Sequence, residues 1–84
     1  MGQKEKLIAR LKSRPKDFTF DEAETLLKYF DFDRSNKGKT SGSRIMFVSP
    51  RHGSILLHKP HPQKELKMYQ VKQLSDFLEQ EGLI

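Results

Sequence analysis

The stretch GKTSGSRIMFVSP, residues 38–50, brings Ser41-Gly42-Ser43 up to Arg44 and then turns apolar. An arginine at such a junction is a catalytic group, a phosphate clamp or an ordinary surface residue. It cannot serve as a proton-transfer base, because a guanidinium keeps its proton up to a pH above about 12. It can hold a phosphate bidentately and stabilise charge that builds on oxygen. Proton transfer near neutrality falls more naturally to imidazole. The chain has three such groups, His52, His58 and His61. His58-x-x-His61 offers two metal ligands, but no third stands close in sequence and Pro60 and Pro62 interrupt the stretch, so no zinc site is expected. With no cysteine in the chain, disulfides and thiolate metal sites are excluded.

Charge narrows the substrate class. The net charge is +5, unevenly spread. Residues 1–16 are basic and residues 17–33 acidic, with Asp17, Asp21, Glu22, Glu24, Asp31 and Asp33 against Lys28. Residues 34–72 turn basic again, and all three histidines lie in this block. A basic middle is the electrostatic footprint of a nucleic-acid surface, and the acidic blocks on either side make any such surface local. A basic face that only keeps a small protein in solution is the alternative. No apolar run approaches the roughly 20 residues of a membrane span, so no membrane association is expected. The N-terminus lacks the apolar run of a signal peptide. Lys6 stands where a myristoylation signal has Ser or Thr. A cytoplasmic protein is the expectation.

These groups must be held by elements of one small domain, since 84 residues suffice for one core and not two. KEKLIARLKS puts Leu7, Ile8 and Leu11 on one side of a short helix that Pro15 ends. Its stripe is narrow, which allows it to be mobile or to dock late. FTFDEAETLLKYF predicts the clearest helix. Thr19 and Glu22 form a capping box, with Phe18 and Ala23 at the staple positions. Phe20, Ala23, Leu26, Leu27 and Phe30 recur every three or four residues as a buried stripe. A short strand is expected at 32–34, then a turn around 36–39. SRIMFV and SILLH flank the turn SPRHG and predict an antiparallel hairpin. KPHPQKEL holds two prolines and cannot be a strand or helix interior. MYQVKQLSDFLEQEGLI predicts the last helix, with Val71, Leu74, Phe77 and Leu78 as its stripe and Gly82 as its stop.

The order is α-α-β-β-β-α: an α+β chain with a three-stranded antiparallel sheet, helices on one face, and an additional N-terminal helix. It resembles the double-stranded-RNA-binding-domain-like fold. Two motifs narrow the resemblance. One is Gly42-Ser43 before a strand that starts at residue 44 with Ile45 and Phe47 apolar. The other is HPQKELKMYQVKQLSDFLEQEGL, a histidine leading into Glu-Leu-Lys and a last helix ending in Gly-Leu. Together they resemble the HicA family of bacterial toxins over about residues 20–84. The reading is an N-terminal helical extension at 1–17 and a HicA-like α-β-β-β-α domain at 18–84.

The resemblance implies a toxin of a type II toxin–antitoxin system, an endoribonuclease that cuts mRNA without metal or small-molecule cofactor and is silenced by a HicB-like antitoxin. It places the family's catalytic histidine after the Gly-Ser pair, where this chain has Arg44. It matches a second family histidine at His61. The family's Pro-Gly before the last helix is Met68-Tyr69 here.

Metal-independent RNA cleavage needs a base for the 2′-hydroxyl proton, positive charge at the phosphate oxygens and an acid for the leaving oxygen. Arg44 supplies the charge. His61, held between two prolines, is the first candidate for proton transfer, His58 at a strand end the second and His52 in the turn the third. Ser43 either bonds a phosphate oxygen or shapes the loop. Lys37, Lys39, Arg44, Lys59, Lys64 and Lys67 are the expected phosphate contacts, which set affinity and its salt dependence without reading sequence. Phe30, Phe32, Phe47 and Phe77 have core spacings, whereas Tyr29 and Tyr69 are open to either role. Two other readings stand beside the nuclease: a non-catalytic RNA-binding module on the same fold, and a small protein-interaction domain with an acidic partner.

Overall fold

The computed structural model describes residues 2–35, 44–60 and 63–84. Three helices, α1 (Gln3–Lys12), α2 (Phe20–Tyr29) and α3 (Met68–Gln80), pack with three strands, β1 (Asp33–Arg34), β2 (Arg44–Ser49) and β3 (Gly53–His58). The sheet is antiparallel in the order β1-β2-β3, so β2 is central. The chain is thus an α+β fold with an added N-terminal helix.

Each helix has a visible cause. α2 starts with the capping box: the Glu22 amide donates to Thr19 Oγ1 at 3.1 Å, and Glu22 Oε1 accepts from the Thr19 amide at 3.1 Å. Two of the orphan donors of the first turn are satisfied this way. Its apolar stripe, Phe20, Ala23, Leu26, Leu27 and Phe30, is buried throughout. α3 ends in a Schellman motif, with Gly82 at φ 75°, its amide on the Glu79 carbonyl at 3.0 Å and the Leu83 amide on the Leu78 carbonyl at 2.9 Å. α1 is docked despite its narrow stripe: Leu7 and Leu11 enter the common core. Arg10 forks onto Glu22, with Nε 2.7 Å from Oε2 and a second contact at 3.1 Å.

The hairpin follows its period of two. Phe47, Ile55 and Leu57 are buried, and Ile45 packs against the same core as the helices. Their neighbours Arg44, Met46 and Val48 on β2, and Ser54, Leu56 and His58 on β3, fall on the opposite face. Gly53, at φ 87°, closes the three-residue turn 50–52, a conformation glycine adopts without steric cost. Phe18 and Phe32, just outside α2, complete the core with Leu66 and the stripe of α3.

Candidate nucleic-acid interface

The hairpin register decides which groups meet. Arg44, first in β2, pairs with His58, last in β3. The His58 backbone amide and carbonyl both point off the outer edge of β3. There the Gln70 side chain takes them: Oε1 accepts the His58 amide at 2.6 Å, and Nε2 donates to the His58 carbonyl at 3.3 Å. Gln70 is 2% exposed and acts as a one-residue surrogate strand at an edge that would otherwise leave both groups unpaired. Because those groups face away from β2, Arg44 and His58 form a non-hydrogen-bonded pair. In such pairs the two Cβ atoms lie about 4.5–5.5 Å apart. The arginine at the strand entrance and an imidazole therefore share one face and one end of the sheet.

The segment that leads from β3 to α3 is fixed by pairing with the start of α2. The Phe20 amide donates to the Lys64 carbonyl at 3.0 Å, the Leu66 amide donates to the Phe18 carbonyl at 2.8 Å, and Thr19 and Glu65 form an antiparallel bridge. Leu66 is buried beneath it. This short ladder explains how a segment with two prolines stays ordered around residues 64–66, and it places Lys64 and Lys67. Lys67 is the N-cap of α3 in an extended conformation. Lys59 lies with Nζ 6.0 Å from the centre of the Phe20 ring, which also faces the Arg34 guanidinium at 5.8 Å.

These elements enclose a cleft of about 240 Å³ whose wall includes His58, Lys59, Gln63, Lys67, Tyr69 and Gln70. None of these side chains is acidic. The nearby carboxylate of Glu24 is occupied: the Arg34 fork holds it at 2.6 and 2.7 Å. That hydrogen-bonded pairing, against a smaller opposing effect of burial, keeps Glu24 below the usual carboxylate range. The Arg34 fork is committed there.

Of the residues expected from sequence, Arg44, Lys59, Lys64 and Lys67 are described, and the strand end and cleft bring Arg44, Lys59 and Lys67 to one region. Ser43, His61, Lys37 and Lys39 lie outside the described residues. His58 stands opposite the arginine. His52 does not join them. It sits in the turn at the far end of the hairpin, beyond the five residue steps, roughly 17 Å, that β3 spans. There its Nδ1 lies 3.0 Å from Glu81 Oε1, and its ring stacks on Phe32 at 6.1 Å. Gln70 and Gln63 were missed by sequence reasoning. Gln70 had a signal: it falls on the α3 stripe, next to Val71 and four residues before Leu74, where a polar residue must find a buried partner.

A family model described as HicA toxin of bacterial toxin-antitoxin matches residues 20–83, from the first residue of α2 to past the end of α3. The chain belongs to the HicA toxin family. It is accordingly the toxin of a toxin–antitoxin system, with a cognate antitoxin as partner. Searches of curated proteins and of solved structures each found no match. The HicA match covers the Arg44–His58 pair and every residue named on the cleft wall. Among the described residues of this HicA chain, no helix is long and apolar enough to cross a membrane.

Proposed function

We propose that this HicA chain binds RNA across the Arg44 end of its sheet and cuts mRNA by a metal-independent route. A HicB-like antitoxin silences it, and the system works in the cytoplasm. Residues 18–84 form the catalytic unit, on a double-stranded-RNA-binding-domain-like arrangement, and residues 1–17 are an appended helix. The observation that carries this reading is the register pair Arg44–His58 beside a cleft with Lys59 and Lys67 on its wall. A guanidinium opposite an imidazole, with two lysines on the neighbouring wall, can supply charge at the phosphate and one proton-transfer group.

In the reaction the 2′-oxygen attacks phosphorus and the bond to the 5′-oxygen breaks. The 2′-hydroxyl proton passes to a base, and the departing oxygen takes a proton from an acid. Arg44 holds the phosphate and stabilises the charge gathering on its non-bridging oxygens. His61 moves the proton, with His58 the second imidazole available, and Ser43 bonds a phosphate oxygen. Lys37, Lys39, Lys59, Lys64 and Lys67 hold the flanking phosphates.

The test is a gel assay of purified protein on an unstructured mRNA, with and without EDTA. Cleavage is expected in both. Arg44→Ala should weaken RNA binding by about tenfold or more, the usual worth of a charge-assisted contact, and flatten its salt dependence. His61→Ala should abolish cleavage. Wild-type cutting by His61→Ala would remove that residue from the proton-transfer role. One feature favours a second reading, a non-catalytic RNA-binding module: the position of the family's histidine holds Arg44, a group that cannot act as base. On that reading RNA is retained at low salt and never cut.

A further inference from the structure

Tyr69 is the second residue of α3 and is 58% exposed, the most open of the large apolar side chains described. The chain's other tyrosine is engaged: the Tyr29 hydroxyl donates to Gln3 Oε1 at 3.2 Å. Among the described residues, no hydrogen bond or ring contact holds the Tyr69 side chain. Its position is nonetheless fixed. Gln70, the next residue, is buried and tied to the His58 backbone by two hydrogen bonds, so the first turn of α3 cannot swing away from the strand end. The ring thus stands on the cleft wall with Lys67 two residues before it and with Lys59 and His58 also on that wall. At about 240 Å³ the cleft is smaller than the roughly 300–1,000 Å³ that encloses a free drug-sized ligand. It is suited to one unit of a longer strand.

An exposed aromatic ring on a wall that also carries two lysines, with no carboxylate among the described wall residues, is an arrangement suited to single-stranded nucleic acid. The base stacks on the ring and the neighbouring phosphates meet the cations. A base inside a duplex already has both faces covered by its neighbours and cannot use such a ring without leaving the stack. We infer that Tyr69 is a stacking platform for an unpaired base, with Lys59 and Lys67 on the phosphates beside it. This makes the protein selective for single-stranded segments. The inference rests on the RNA reading above and adds a residue and a strand preference to it. The contact tolerates any base, because every base offers a π-face.

The experiment uses the full chain, which has two tyrosines and no tryptophan. Tyr29→Phe leaves Tyr69 as the only strong fluorophore. The probe is a 2′-O-methyl RNA strand of about eight nucleotides, a length within the span of common single-strand sites, whose blocked 2′-oxygen prevents cutting. It is titrated alone and annealed to its complement. The single strand is expected to quench the tyrosine emission. Tyr69→Ala should weaken single-strand binding about tenfold while duplex binding stays within twofold, and Tyr69→Phe should bind like the wild type. An unchanged thermal melt establishes that Tyr69→Ala is folded. Tight single-strand binding by Tyr69→Ala overturns the stacking role and leaves the RNA reading standing. If Tyr69→Ala keeps RNA binding but loses the antitoxin in co-purification, the ring belongs to a protein interface and the proposal fails. Wild-type protein that binds neither probe overturns the RNA reading and this inference together.

Discussion

Gln70 does for the site what no residue of the basic surface does. Its amide fills both backbone valences of His58 at the open edge of β3 while itself 2% exposed. Replacing it with an apolar side chain of similar size leaves a part-buried amide and carbonyl without partners. Gln70→Leu should therefore lower the unfolding free energy by about 2 kcal/mol, the usual cost of orphaned polar groups. A urea titration measures it as a lower midpoint at constant slope. The same change frees the first turn of α3, so Tyr69 and Lys67 should lose their fixed place beside His58.

Helix ends tie the elements to one another. α2 stops in a Schellman motif like that of α3: the Asp31 amide bonds the Lys28 carbonyl at 3.1 Å and the Phe32 amide bonds the Leu27 carbonyl at 3.0 Å. The residue in the left-handed position is an aspartate, at φ 68°. A side chain there costs about 1–2 kcal/mol relative to glycine, less for aspartate than for most residues. Asp31→Gly should raise the unfolding free energy by up to about 1 kcal/mol, measured by denaturation. The motif aims Phe32 into the core, where its ring meets Phe77 at 5.9 Å and His52 at 6.1 Å. α2 is thereby joined to the sheet and to α3 at the end opposite Arg44.

Across the whole molecule, tertiary pairing redistributes the charge blocks of the sequence. Arg10 of the basic N-terminus binds Glu22 and Asp17, and Arg14 binds Asp76. Arg34 is spent on Glu24. Asp17, Glu22 and Glu24 of the acidic block thus face basic side chains of their own chain, while Lys59 and Lys67 stand on a cleft wall that has no carboxylate among its described residues. The pairing also sets the acid response. Burial pushes the Glu22 carboxyl up, but hydrogen bonds from Arg10 and from the Thr19 amide outweigh it and hold the group below its usual range. Glu24 is held low by Arg34, and Asp76 by Lys72. A carboxyl with a depressed folded-state pKa binds more protons unfolded than folded as the pH falls. Its stabilisation is complete above the ordinary carboxylate range, about pH 4–4.5, and is lost as the pH drops through the lower folded-state value. The melting temperature should therefore be level near neutrality and fall progressively below about pH 5. Glu22→Gln should start from a lower melting temperature and show a shallower acid decline.

Local signals reached far in this chain. The capping box at Thr19, the stripe of α2, the alternation of β2 and β3, the turn at Gly53 and the stop at Gly82 are all fixed by contacts within a few residues, and each was legible in the sequence. So was the family, carried by the Gly-Ser entry and the last helix. Asp31 was not readable as a helix stop, because the motif it closes normally shows a glycine. The partners of the candidate site were not readable either. That Arg44 faces His58 depends on hairpin register, which burial of Phe47, Ile55 and Leu57 on one face selects. That the segment at 64–66 is held in place depends on a ladder to residues 18–20, more than forty residues away. Gln70 is a clamp and Tyr69 a bare ring because the packing of α3 turns one inward and its neighbour outward. Sequence determined the elements and the groups they carry. Only the tertiary structure decided which of those groups stand together, since that depends on packing between segments distant in the chain.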